Sequence, residues 1–280
     1  MPPPRPLTVW VAVTTLSASL IGCSSAPSYR NAEVVQAIEH ICTTEYRLDV
    51  SVRRAGETIA VHLRHPGILA REDAQIRLAP SANEVLGNVI EAIHRVALSA
   101  ETQPRFYFLI VSDPAMPGTG LTLIRYVEDV LRVNANSITP TEFFMRTVLE
   151  LQQLNPPTLD FNQLAIHDIT LEQFLSWQLA RRIHDRLTTH AQREGLSHLT
   201  IGPCVGEFRA NEFVFTLNVA PQPGEAIEEP LIQSFFQDAT TVVASVLSDY
   251  RFDRFDTIRL IHQPTGRNIL LPKAQLQLFR

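Results

Sequence analysis

Nine histidines and 29 acidic side chains are the first places to look for chemistry in this 280-residue chain. A metal site needs several such ligands brought to one face of a helix or strand. His62 and His65 are three apart in a stretch that reads as strand, so they point to opposite faces. His184 and His190 are six apart on a predicted helix and do not stack. His167 sits beside Asp168, which suits a cap or turn more than ligation. The carboxylates cluster at Glu128-Asp129, at Glu228-Glu229 and at Asp249, Asp253 and Asp256. The last group interleaves with Arg251, Arg254 and Arg259, the pattern of exposed ion pairs around a turn, each worth little. The chain has no G-x-S-x-G, H-E-x-x-H, P-loop or dinucleotide glycine pattern. Gly118-Thr119-Gly120 reads as a turn between strands. No catalytic residue, metal ligand or cofactor is therefore assigned.

Cysteines and aromatics remain. Besides Cys23 there are Cys42 and Cys204, too far apart in sequence for a C-x-x-C motif. In an oxidising compartment they are a candidate disulfide, closing a long loop for roughly 5 kcal/mol by chain entropy. The alternative is two separate buried thiols behaving as small hydrophobes. Phe106, Phe108, Phe213 and Phe215 fall on predicted strands. They suit a helix–sheet core first and the lining of a ligand groove second.

The N-terminus carries one charge, Arg5, and then an uncharged run from Leu7 to Ile21. Leu20-Ile21-Gly22-Cys23 closes that run. The run is shorter than the roughly 20 apolar residues of a membrane span and is diluted by Thr and Ser. It has the parts of a secretory signal. The four closing residues resemble the lipobox of bacterial lipoproteins. The resemblance implies removal of residues 1–22, lipidation of Cys23, and stable membrane attachment through several acyl chains. It also implies the outer membrane, facing the periplasm, in an organism with two membranes, since Ser24 rather than Asp follows the cysteine.

Residues 23–30 read as a tether, reaching at most about 28 Å when extended. The body of about 258 residues suits one large domain or two ordinary ones. Its 45% apolar and 19% charged content fits a globular core. Net charge is −5, and Lys273 is the only lysine among 24 basic residues. That leaves no basic patch for nucleic acid.

Periodicity divides the body into a unit at 31–138, a helical connector at 139–169 and a second unit at 170–280. A helix from Asn31 is followed by a hairpin over 47–63 and a helix after a Ser81-x-x-Glu84 capping box. Strands are expected at 106–111 and 121–133. Thr139-Pro140 opens a helix running to about Leu154, and Thr170 opens a longer one to about Glu194. Strands follow at 199–208 and 213–219, then a helix at 229–249 and strands at 254–262 and 268–279. The turns Arg54-Ala55-Gly56-Glu57 and Arg209-Ala210-Asn211-Glu212 line up. The expected fold is therefore α+β: two related units of helix on antiparallel sheet, each helix–hairpin–helix–hairpin, with an extra helical segment between them. The functional expectation is a lipid-anchored, non-catalytic envelope protein serving as an adaptor, assembly factor or structural partner to another envelope protein. The alternatives are a module binding a hydrophobic ligand or peptide, and an envelope hydrolase.

Overall fold

The computed structural model describes residues 28–72, 75–153, 160, 161 and 164–276. The signal run and Cys23 lie outside them, as do residues 277–279 of the strand expected at the C-terminus. The chain is a mixed α+β protein. Its first half runs α1 (Val34–Thr44), β1 (Val50–Ala55), β2 (Thr58–Arg64), β3 (Leu69–Glu72), β4 (Gln75–Leu78), α2 (Ala82–Ala97), β5 (Phe106–Ser112), β6 (Thr119–Tyr126), α3 (Val127–Asn134), α4 (Pro140–Arg146) and β7 (Val148–Gln153). Its second half runs α5 (Leu171–Arg193), β8 (Leu199–Ile201), β9 (Val205–Arg209), β10 (Glu212–Leu217), β11 (Val219–Pro221), α6 (Glu229–Asp249), β12 (Thr257–His262), β13 (Arg267–Pro272) and α7 (Lys273–Leu276).

Two sheets dominate, in the orders β1-β2-β5-β6-β7 and β13-β12-β10-β9. Both are mixed, which corrects the expectation of antiparallel sheets. β2 lies parallel to β5, and β10 lies parallel to β12. The cause is the helix between each pair: α2 and α6 carry the chain back so that the next strand enters in the same sense. The connector is not wholly helical either. α4 stops at Arg146, and residues 148–153 pair antiparallel with β6 as an edge strand. The stretch expected as strand over 121–133 turns helical at Val127. Its alternation ends there, and Glu128 and Asp129 occupy the first turn, where carboxylates favour a helix start.

Both faces of the first sheet are covered. Tyr107, Leu109 and Val111 of β5 pack with α1 and α2 on one face. Phe106, on the opposite face, packs into the cluster formed around α5 and α6, together with Val148 and the partly buried Ile124 and Tyr126. Helix α5 therefore serves two sheets, filling the back of the first and the inner face of the second. The far end of that back face is closed by Phe161, which packs on Ala60 and Ile110. Asp168 joins the connector to the first hairpin, accepting from Glu57 N–H (3.0 Å) and Thr58 Oγ1 (2.9 Å) over Gly56.

Caps explain where several helices start. Thr139 accepts from Glu142 N–H, and Thr170 forms a complete capping box with Gln173. The expected box at Ser81 does not form; the Ser81 backbone is already helical and its side chain makes no cap bond. The arginines at 254 and 259 pair with Glu172 (2.8 Å) and Glu212 (3.1 Å), not with the aspartates beside them in sequence.

The hairpin of β9 and β10 turns through Ala210 (φ 49°) and Asn211 (φ 60°), a two-residue turn with both centres left-handed. Alanine is strained there, whereas asparagine tolerates it. Ala210→Asn is expected to raise the melting temperature by about 2 °C, corresponding to about 0.5–1 kcal/mol.

His94 gives the fold a pH dependence. The Tyr107 hydroxyl, accepting from Arg125 Nη1 (3.2 Å), donates to His94 Nε2 (2.7 Å). Burial, with the Arg125 charge adding, lowers the His94 pKa to about 4. The unfolded chain, with an ordinary histidine near 6.5, binds the proton first as pH falls. The stabilisation is fully present above pH 6.5 and is lost towards pH 4, a loss of about 3 kcal/mol. Urea unfolding at pH 7 and pH 4.5 should show the drop, and His94→Gln should flatten it.

Candidate functional site

The first candidate to weigh is the buried cluster where the halves meet. Asp129 of α3 accepts from Arg146 Nη1 (3.0 Å) and from the Tyr250 hydroxyl (2.6 Å). Arg146 also donates to Glu142 (2.9 Å), and its guanidinium lies over the Tyr250 ring (4.7 Å). Gln178 of α5 donates to the Arg146 carbonyl (2.6 Å) and the Tyr250 oxygen (2.9 Å). Burial raises the Asp129 pKa, against the Tyr250 hydrogen bond and the Arg146 charge. Burial, then the Asp129 charge, pushes Tyr250 well above its ordinary value. For Arg146, burial works the other way and is overcome by Glu142, Tyr250 and Asp129, so its pKa rises. Asp129, Arg146, Tyr250 and Gln178 are buried and bonded to one another, with the Gln178 amide oxygen left over and Glu142 at the half-exposed edge, so the cluster reads as a clasp between the halves.

A second cluster joins α5 to α6. His190 Nδ1 hydrogen-bonds Asp238 Oδ2 (2.5 Å), and Arg186 Nε holds Asp238 Oδ1 (2.8 Å). A histidine oriented by an aspartate is two thirds of a hydrolytic triad. Among the described residues no hydroxyl or thiol bonds to the ring, which packs edge-on against Phe235.

The open site is a groove of about 740 Å³ between the two sheets. One wall is β7, the edge of the first sheet, with Leu149, Glu150 and Leu151. The other is β9, the edge of the second sheet, with Val205, Gly206 and Glu207, together with Pro203 and Cys204 just before it. Consecutive residues of a strand face opposite sides of their sheet. A cavity touching consecutive residues on both strands therefore lies at their edges. The floor is α5, through Trp177, Ala180, Arg181, His184 and Asp185. A second hollow of about 420 Å³ shares His184 and continues along α5 past Thr188 and Gln192 to Leu199 and Ile201.

Local sequence builds this shape. The strand expected over 199–208 is broken because Pro203 has no N–H to give the ladder. Gly202 N–H still reaches the Asn218 carbonyl (2.7 Å), and the Gly202 carbonyl accepts from His184 Nδ1 (2.9 Å). Gly206 lets α5 cross β9 closely, since a Cβ there would meet the Ser176 carbonyl oxygen at 2.3 Å. Leu151 (44% exposed) and Val205 (54%) stand at the two rims. Arg181 lies 3.9 Å from Asp185. Glu150 and Glu207 have no ion-pair partner among the described residues.

The sequence candidates fall elsewhere. Phe106, Phe213 and Phe215 are wholly buried in the core around α5, and Phe108 packs between that core and Phe161, so none lines a groove. They alternate into sheet faces that helices cover. The Cys42–Cys204 bridge is not formed: both thiols are free. Cys42 is buried under α1 in the first core, whereas Cys204 packs at the rim of the second. Burial pushes the Cys42 thiol up to about 11 and the Cys204 thiol up to about 12. Neither is a ready thiolate. Among the described residues no group of three or more metal ligands gathers, and no helix is long and apolar enough to cross a membrane. No protein-family model matches the chain, and no curated protein matches it in sequence.

Proposed function

We propose that this chain is a lipid-anchored, non-catalytic interaction protein of the cell envelope, attached through Cys23 and working as an adaptor or assembly factor. The observation that carries the proposal is the groove between β7 and β9, an accessible cleft bounded by two strand edges that no other strand pairs among the described residues. Unpaired edges are templates for another chain. The same observation makes binding of a peptide the next reading, ahead of a hydrolase.

The anchor supports a working position close to the bilayer. Ser28 and Tyr29 N–H donate to the Ser99 carbonyl, and Glu101 N–H donates to the Tyr29 carbonyl. The stretch from Cys23 to Ser28 can then reach at most about 18 Å by chain length. In an organism with two membranes the body would hang from the inner leaflet of the outer membrane into the periplasm.

We also infer that the two units are related by duplication. The strand series β1-β2-β5-β6 and β9-β10-β12-β13 share order, sense and the helix between the parallel pair. Superposing 50–126 on 205–272 should bring α2 onto α6 on the same sheet face; opposite faces would refute common descent.

In-cell crosslinking of the full-length protein, with mass spectrometry of what copurifies, tests the function. One dominant envelope protein, lost in Cys23→Ser, is expected. A stoichiometric small molecule and no protein would replace the adaptor by a ligand carrier.

A further inference from the structure

We propose that the groove between β7 and β9 takes an extended, basic peptide segment of a partner protein, added as a strand to a sheet edge. This rests on the adaptor function above and names its partner's chemistry.

Backbone comes first. β7 is bonded to β6 on one side and β9 to β10 on one side. Among the described residues, no backbone–backbone bond beyond the ladders engages Val148–Leu151 or Val205–Arg209, and the Val205 carbonyl meets only the Cys204 thiol (4.0 Å). A strand laid in the groove would supply the missing donors and acceptors.

Length follows from the floor. Trp177, Arg181, His184, Thr188 and Gln192 recur at helical spacing along the open stripe of α5. Fifteen helical steps span roughly 22 Å, which an extended chain covers in about seven residues. Alternate side chains of such a strand would meet the apolar rims at Leu151 and Val205.

Charge selects the occupant. Glu150, Asp185 and Glu207 face the groove against Arg181 and His184, and Arg181 is taken up by Asp185. Two carboxylates, Glu150 and Glu207, are left for cations on the ligand. A second copy pairing antiparallel about the centre of β9 would set Glu207 against Glu207, which like-charge repulsion disfavours. Paired on β7, where Glu150 and Leu151 face opposite sides, a segment alternating apolar residues with Lys or Arg sets a cation on the Glu150 face and an apolar side chain on the Leu151 face, with Glu207 across the groove.

The test uses the mature full-length protein in detergent micelles and fluorescein-labelled heptapeptides, followed by anisotropy. The probes are an alternating Lys–Val peptide, its Glu–Val counterpart, and the Lys–Val peptide N-methylated at every residue, since alternate N–H groups face opposite edges. Lys–Val is expected to bind saturably, and Glu–Val at least about tenfold more weakly. N-methylation should abolish binding by removing the ladder donors. The double variant Glu150→Lys/Glu207→Lys, checked for an unchanged melting temperature, should invert the order of the two peptides. Absence of saturable binding, indifference to N-methylation, or an unchanged order in the double variant would each overturn the proposal. In cells, a photocrosslinking residue at Val205 should capture the partner and one at Leu270, exposed on the second sheet, should not. Capture from Leu270 alone overturns the groove but keeps the adaptor. Capture from neither, with peptide binding intact, overturns the adaptor but keeps the groove.

Discussion

Arg146→Met is expected to destabilise the protein by about 3–5 kcal/mol, because it leaves the Asp129 carboxylate buried with one partner gone. Asp129 sits 2% exposed and would keep only Tyr250 as a strong donor, with Arg132 further off at 3.7 Å. Urea unfolding at neutral pH measures the loss. Adding Asp129→Leu and Tyr250→Phe should recover most of it, since an apolar replacement of a whole buried ionic group is often neutral or better. If the triple variant is as unstable as the single one, the clasp stabilises through shape and not through charge. Gln178, whose amide oxygen is buried without a partner among the described residues, marks the same joint as one where polar groups are tightly constrained.

Gly206→Ala should cost about 3 kcal/mol, at the upper end for overpacking. The obstacle is the Ser176 carbonyl of α5, a backbone atom that cannot rotate away, and Ala180 Cβ lies 3.0 Å beyond the new methyl on another side. The variant must push α5 off β9, so it should also widen the groove and raise the exposure of Trp177. Tryptophan emission alongside thermal unfolding would register both. Gly87→Ala is the contrast. Gly87 is helical, exposed and has open space around its Cβ position, so alanine there should stabilise by about 0.5–1 kcal/mol.

Much of the secondary structure is legible from residue pattern. Helices α1, α2, α5 and α6 and the two tight hairpin turns follow from periodicity and turn chemistry. The capping box at Thr170 is local and forms as its residues dictate. What is not legible is what distant segments do to one another. Val148–Gln153 has no strong strand signal and becomes a strand because β6 offers an edge. The parallel pairing of β2 with β5 depends on where α2 returns the chain. Asp129 reads in sequence only as one of two adjacent carboxylates, and its burial depends on Arg146 and Tyr250, which arrive from elsewhere in the chain. The groove could not be read at all, because its walls are edges of two sheets more than 50 residues apart in the chain. Pro203 and Gly206 were its one local trace: two poor strand residues within four positions.

The double duty of α5 bears on the order in which the protein can be completed. A chain made from its N-terminus finishes the first sheet about 20 residues before α5 begins. Until α5 arrives, the back of that sheet presents Phe106, Ile124, Tyr126 and Val148 bare. Exposed apolar sheet of this kind is prone to aggregate. The nascent first half is thus a sticky intermediate that its own later sequence must rescue, and a slow or truncated synthesis would leave it to chaperones or to proteases.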